Sequence, residues 1–569
     1  MNPRIETSVL VVGAGPVGLT LAIDLAWRGI DVTIVEQRSA DQPRGVRCNQ
    51  ISARSMEIFR RLGIARDLRG AGLPPDYPND VVSCTTVTGI ELSRVKIPCR
   101  AERYTSTDGP DTSWPTPEPP HRISQTVFEP ILLRHARAQP LVRIVNHTRI
   151  GELVQGEHDV TATAHDLASG ERIDIVCRYI VGCDGAGSMV RKAIGASLTG
   201  TSVVQHVQST CFRAPRLLEL LQAKRAWLYL ALNPRRCGST ISVDGRETWL
   251  IHNYLYRGEY FDAVDRDWAI RQILGVGDRF EYEIITQEDW TARRLVADKF
   301  RERRAFICGD AAHLWIPHAG YGMNAGIADA ADLAWMLAAV LNNWAVAALL
   351  DAYEAERQPI TEQVSHFTTD FAHKVMQLRR EIPAEIETPG EQGDAIRAEI
   401  GRRTYEIDVA QQCCAGLNFG YFYARSPIIA YDGEPHPPFT VGTFTSSTVP
   451  GCRAPHLWLA DRRSLYDAFG PGYSLIRFDP HIDVEAMTEA AKQRRVPLKV
   501  VDESAPGAQR RYRNKLVLVR PDQHVAWRGD GMPNDVLSLI DLVRGAGVTY
   551  NFDTSDVGIE KPNCAATTE

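Results

Sequence analysis

Apolar residues along this chain fall into two kinds of run. Unbroken runs at 8–12, 32–35 and 305–308 predict short strands buried on both faces, as in a parallel sheet. Alternating runs at 208–212, 227–232 and 248–254 predict a different sheet, with one face on a core and the other on a pocket. Helical spacing follows the first strand through Leu19, Leu21, Ala22, Leu25 and Ala26. It returns in a long helix opening at Gly322-Met323-Asn324 and continuing through Ile327, Ala331, Leu333, Ala334 and Leu337. Shorter helices are predicted over 129–138 and 534–544.

Turn chemistry divides these elements. The stretch 108–120, with WPTPEPP, reads as a surface loop, and GEPHPP at 433–438 as a boundary. Beyond it, apolar strands at 474–478 and 498–501 precede a hairpin turning at Pro521-Asp522-Gln523. The division expected is 1–75 with 121–196 and 300–345 as one domain, and 76–120 with 197–299 as a sheet domain. A helical region at 346–432, a C-terminal domain at 433–550 and a disordered tail at 551–569 complete it.

Composition narrows the function. A chain of 569 residues, 44% hydrophobic, can bury several cores. Its net charge of −6, with no basic tract, argues against nucleic acid. The apolar stretch 9–25 is interrupted by Gly13, Gly15, Pro16 and Gly18, and 333–350 by Asn342-Asn343, so no membrane anchor is expected. The 12 cysteines form no CxxC pair and read as reduced thiols of a cytoplasmic protein. Walker A, GxSxG and HExxH sequences are absent. His313 and His318 need no metal.

Three segments carry chemistry. Gly13-Ala14-Gly15-Pro16-Val17-Gly18 joins a strand to a helix, and the next strand ends in Glu36-Gln37-Arg38. This is GxGxxG within a βαβ unit, where a pyrophosphate sits against the helix N-terminus and the acidic residue reaches ribose hydroxyls. Alone it does not separate FAD from NAD. Gly309-Asp310 ends the strand at 305–308, and Pro317, Gly320, Gly322, Met323 and Asn324 form a turn into the long helix. A helix N-terminus there suits the anionic edge of a reduced isoalloxazine. Asp310 is placed for ribityl hydroxyls. A third strand delivers Cys183-Asp184-Gly185, with Ser188 and Arg191 one turn on.

Together and in this order, the three segments resemble the group A flavoprotein monooxygenases, the single-component FAD-dependent aromatic hydroxylases. Length and C-terminal strands place the resemblance nearest the phenol and chlorophenol hydroxylase branch. It implies an α/β fold: a Rossmann-like FAD-binding domain of GR2 type, an interleaved β-sheet substrate domain and a C-terminal thioredoxin-like domain. That last domain lacks dithiol chemistry, since Cys452 stands alone. The resemblance also implies FAD as cofactor, with NAD(P)H and O2 as co-substrates and a small aromatic substrate, as in aromatic catabolism. Hydroxylation would run through a flavin C4a-hydroperoxide. Arg44 would lie against flavin and pyrophosphate, Gln125 on the ribityl chain or phosphate, and Asp184 near the pyrophosphate. Arg47, Tyr229, His252, Tyr254 and Pro317 are the candidates for the catalytic pocket. A surface role for Arg44, Arg47 and Gln125, and a plain buried role for His252, are the alternatives. Epoxidation or Baeyer–Villiger insertion on a polyketide, or flavin binding without oxygenase activity, are the competing functions. A homodimer is left open.

Overall fold

A computed structural model describes residues 3–42, 45–46, 48–316, 320–503 and 507–547. Five parallel strands form the centre of its first, eight-stranded sheet, in the spatial order Ala305–Ile307, Arg172–Gly182, Arg4–Val12, Val32–Val35, Val142–Val145. Val9 to Val11 of the central strand are fully buried, as a strand covered on both faces requires. The register aligns the strand ends. Gly13 N–H donates to Val35 O (2.8 Å), Cys183 N–H to Val12 O (2.8 Å) and Cys308 N–H to Gly182 O (2.9 Å). The three motif segments therefore leave the sheet side by side at its carboxyl edge, where open α/β sheets bind ligands. Helices Pro16–Trp27 and Tyr321–Leu341 pack together over this sheet. The second is apolar and long enough to cross a membrane, yet 94% of its most apolar window is buried inside the protein.

The second sheet contains Leu198–Arg213, Thr248–Tyr254, Gly238–Ser242, Leu228–Ala231, Val81–Cys84 and Glu91–Val95 as successive neighbours, with Glu283–Ala297 beyond the first. Helices Asp351–Arg380 and Glu391–Gln412 follow the long core helix and pack against this sheet. Four strands form the C-terminal sheet, in the order Leu498–Asp502, Tyr473–Arg477, Leu516–Val519, Val525–Gly529, the first pair parallel and the rest antiparallel. With helices Glu485–Gln493 and Val536–Val543 this is a thioredoxin-like arrangement.

Two local expectations are corrected. The helix expected over 129–138 spans Gln125–Arg137, because Ser124 is already extended and takes the N-cap position. The proline-rich stretch is not a surface loop throughout, since residues 116–120 are buried. Thr116 donates to Glu57 (2.6 Å), and Glu118 accepts from Arg60 (2.8 Å) and Tyr104 (2.7 Å). Proline's lack of an N–H lets this segment be buried with fewer donors to satisfy.

Candidate active site

Each turn at the sheet edge is built for close approach. Gly13 has φ +104°, and a Cβ there would overlap the Cys183 carbonyl. Gly15 differs. A Cβ there would meet no atom of the described residues within 4 Å, so their packing does not require the glycine. Gly15 is also the N-cap of helix Pro16–Trp27, without a side-chain cap, and Pro16 has no N–H to satisfy. The helix thus presents uncapped N–H groups to open space, a ready anion site.

Glu36 locks this loop. Its carboxylate accepts from Ala14 N (2.7 Å) and from Arg38 N and Nε (2.8 and 3.1 Å). Burial pushes its pKa up, but the hydrogen bonds of Arg38 and Ala14 outweigh this and hold it below the usual carboxylate range. Gln37 points outward and is exposed.

The other two segments brace each other. Asp184 accepts from Met189 N (2.7 Å) at the start of helix Met189–Ala193, while its buried Oδ1 has no hydrogen-bond partner among the described residues. Arg191 reaches across to Ala311 O (2.9 Å) and back to Ala186 O (2.7 Å). Asp329 fixes the Gly309–Ala311 turn, accepting from Gly309 N (3.1 Å), His313 Nε2 (2.8 Å) and Arg357 Nε (2.9 Å). Asp310 is left exposed at this edge.

Helix Tyr321–Leu341 starts from Gly320, at φ +61°, again with no side-chain cap. Its open N–H groups are those of the first turn, ending at Met323. Asn324 departs from its expected role. It lies one residue past the open donors, and its side chain is turned into the protein. It accepts from Ser52 N (2.8 Å) and donates to Gln50 O (3.1 Å) and Gly320 O (2.6 Å). Asn324 shapes the turn without facing the cavity. Arg44, Arg47, Pro317 and His318 lie outside the described residues.

A cavity of about 1190 Å³ runs from these turns to the second sheet. Gly15, Pro16, Val17, Gln125, Asp310, Gly320, Gly322 and Met323 line one part of it. Gln125, on the first turn of its helix, donates to Glu129 (2.8 Å).

The sheet side carries one cross-strand row. Ser83 pairs with Leu230, Leu230 with Ser239, Ser239 with His252, His252 with Ser209. All five face the cavity. Each serine holds a polar side chain. Ser209 is bonded to His252 Nδ1 (2.7 Å), Ser239 to Tyr254 Oη (2.9 Å), and Ser83 donates to Asp408 Oδ2 (3.0 Å). Trp290 Nε1 also donates to Ser209 (2.7 Å), and with the Ser209 hydroxyl donating to His252 Nδ1 the ring would carry its proton on Nε2. Burial lowers the His252 pKa to about 4, so near neutrality the ring is an uncharged donor.

Tyr229 does not belong to this site. Strand alternation turns it to the opposite face, against Trp249 and Ile251, where its hydroxyl accepts from Ala226 N (2.8 Å). Leu228 and Leu230 take the cavity side. Two cavity residues escaped the sequence reading. Arg379 lies 3.8 Å over the Tyr254 ring, and Asp408 sits on helix Glu391–Gln412. Both come from the helical region, whose sequence carries no motif. The serines of the row stand on every second strand, so its polar character emerges only when the sheet is assembled.

The turns fit FAD. The empty space at Gly15, the uncapped helix starts at Gly15 and Gly320, and the unpartnered Asp184 Oδ1 are features for a ligand with a pyrophosphate and a polar ring. The comparisons with known proteins agree. Residues 6–368 match the family described as FAD binding domain, and residues 447–544 that described as Aromatic-ring hydroxylase, C-terminal. The FAD-dependent monooxygenase apdD of Emericella nidulans is 31% identical over 94% of this chain and 88% of its own length. Tetracenomycin B2 monooxygenase-dioxygenase of Streptomyces olivaceus is 29% identical over 95% of this chain and 98% of its own. The rebeccamycin biosynthetic enzyme RebC, solved with reduced flavin, superposes with a TM-score of 0.86 at 36% identity, covering 96% of this chain and 100% of RebC.

The chain belongs to the group A flavoprotein aromatic hydroxylases. It is an FAD-dependent monooxygenase that uses NAD(P)H and O2 to hydroxylate an aromatic ring.

Proposed function

We propose that the substrate is a fused-ring phenol, larger than a single benzene ring. The carrying observation is the cavity. Pockets that enclose a whole drug-sized ligand measure about 300–1,000 Å³. The volume here, about 1190 Å³, is shared between the flavin edge and a sheet face whose polar groups are spread apart. At the ~4.8 Å spacing of neighbouring strands, Ser83 and His252, three strands along the row, are roughly 14 Å apart. A single ring would reach one end of the row and leave the other to water.

Gly15, Val17, Gln125, Asp310 and the amides of Gly320–Met323 would hold the cofactor, which supplies the electrons taken from NAD(P)H and the site of O2 activation. The chain's own work is orientation and exclusion of water. Leu228, Leu230 and Ile241 present an apolar floor. His252 offers an N–H donor, Tyr254 a hydroxyl, and Arg379 a cation whose guanidinium donates no hydrogen bond among the described residues. These fix the ring system by its oxygen substituents.

Purified protein should carry about one FAD per chain, as a single dinucleotide site dictates. Phenol, 1-naphthol and 1,8-dihydroxyanthraquinone are then compared for product mass and coupled NAD(P)H use. The reading expects kcat/KM to rise with ring number, by about tenfold or more for each 1.4 kcal/mol of added transition-state contact. Equal or better turnover of phenol would sink it.

A further inference from the structure

Asp408 is a carboxyl group set into the wall of the cavity. It projects from helix Glu391–Gln412, which packs on strands Glu91–Val95 and Val81–Cys84, and only 3% of its surface is accessible. Ser83 holds Oδ2 at 3.0 Å. No hydrogen bond reaches Oδ1 among the described residues, and Asp408 lines the cavity. A structural carboxylate this deep is normally paired with a cation, and this one has no ion pair among the described residues.

We propose that Asp408 is a catalytic base of the hydroxylation, accepting the proton of a substrate phenol through Oδ1. The proposal rests on the fused-ring phenol reading above. The phenolic O–H bond breaks, its proton passes to the Asp408 carboxylate, and the electron pair stays on the ring oxygen. The phenolate so formed is a stronger nucleophile at its ring carbons. After oxygen transfer the substituted carbon releases its hydrogen as a proton to solvent, and the Asp408 carboxylic acid returns a proton to the ring oxygen. The carboxylate is regenerated.

The surroundings suit this task. Burial pushes the Asp408 pKa up to about 7, while the Ser83 hydrogen bond and the charge of Arg379 pull it down. A base poised near neutrality is the most effective compromise between protonation state and driving force. Arg379, on the preceding helix, is the charge whose field reaches it. Ser83, and the Ser93–Thr404 pair bonded at 2.9 Å between the adjacent strand and the same helix, are neutral. Arg379 thereby balances the phenolate as it forms.

The test uses holoenzyme with 1-naphthol and 1,8-dihydroxyanthraquinone as probes, read by product formation across pH 5.5 to 9. FAD content and melting temperature report whether each variant is folded. Wild-type hydroxylation should rise with pH through about 7, the carboxylate being the active form. Asp408→Asn should lower product formation by about 10²–10⁴-fold and abolish that limb. Ser83→Ala removes a hydrogen bond that favours the ionised carboxyl, so its limb should move to higher pH. A folded Asp408→Asn enzyme that keeps the wild-type limb and a rate within about threefold overturns the proposal, since a general base contributes far more. So does an unshifted limb in Ser83→Ala. Neither outcome touches the substrate reading while wild type still hydroxylates the probes. If wild type binds neither probe, that reading fails and the proposal falls with it.

Discussion

At the scale of single residues, glycines and one carboxyl show what the site is for. Gly13 and Gly18 are demanded by backbone packing, because a Cβ at either would strike the other strand–turn–helix atoms. Gly15 is not. Gly15→Val should therefore fold with nearly unchanged melting temperature of the apoprotein while failing to retain FAD, its side chain standing where a pyrophosphate would lie. Yellow protein with full FAD content would refute the cradle. Asp408 makes a complementary prediction about stability. Its folded pKa of about 7 lies above the unfolded value near 3.8, so the stability it contributes is present below pH 4 and is lost as pH rises to about 7. Asp408→Asn needs no ionisation. Its melting temperature should gain on wild type between pH 4 and 7 and stay higher above that. A difference independent of pH would mean that the carboxyl is not desolvated in solution.

Elements explain which parts of the site could be read from sequence. Glycines between an apolar strand and a helix state their purpose locally, so the two helix starts and the strand ends at Glu36, Asp184 and Asp310 were legible. Side-chain direction was harder. Tyr229 and His252 both sit in alternating strands, and one residue of register decides which faces the cavity. The helical region is more opaque still, because Arg379 and Asp408 acquire meaning only when their helices cross a sheet formed by strands far earlier in the chain. Asn324 shows the same limit. Its position after Gly322 suggested a flavin contact, whereas tertiary structure assigns its amide to Ser52, Gln50 and Gly320. Asn324→Ala should orphan the buried Ser52 N–H at about 1–3 kcal/mol, while the Gln50 carbonyl keeps the Cys48 thiol (3.3 Å) as a donor. We expect a melting temperature lower by several degrees, with FAD affinity weakened through the displaced turn. An unchanged melting temperature would return Asn324 to the list of cofactor contacts.

For the molecule as a whole, the thioredoxin-like domain is bound to the flavin turn by buried charge. From the turn, Asp329 is held by Arg357, and Asp332 accepts from Tyr423 (2.7 Å). The Tyr423 ring lies 4.3 Å from the His524 ring, tilted by 39°, and His524 neighbours Asp522 on the C-terminal hairpin. On that hairpin Arg520 is fully buried and forks onto Glu356 at 2.5 and 2.7 Å and onto Asp522 at 2.8 Å. Arg54 donates to Asp522 O (2.6 Å), and Arg453 pairs with Glu57. A buried pair stabilises little against an apolar replacement, but removing one partner leaves the other charge stranded, at about 3–5 kcal/mol. Arg520→Met should cost about that much, since Glu356 and Asp522 lose their shared cation. Adding Glu356→Leu should recover part of the loss, because the stranded carboxylate is then gone. The same network should make the protein melt in a single transition, with FAD released as the C-terminal domain opens. A chain ended at residue 446 should not accumulate as a yellow protein, for Glu356 and the Trp335 and Trp344 rings that pack on Tyr473 would face water. Calorimetry showing two separate transitions, or a truncated chain that keeps its FAD, would show instead that the C-terminal domain is an independent appendage and that the buried charges are incidental to the flavin turn.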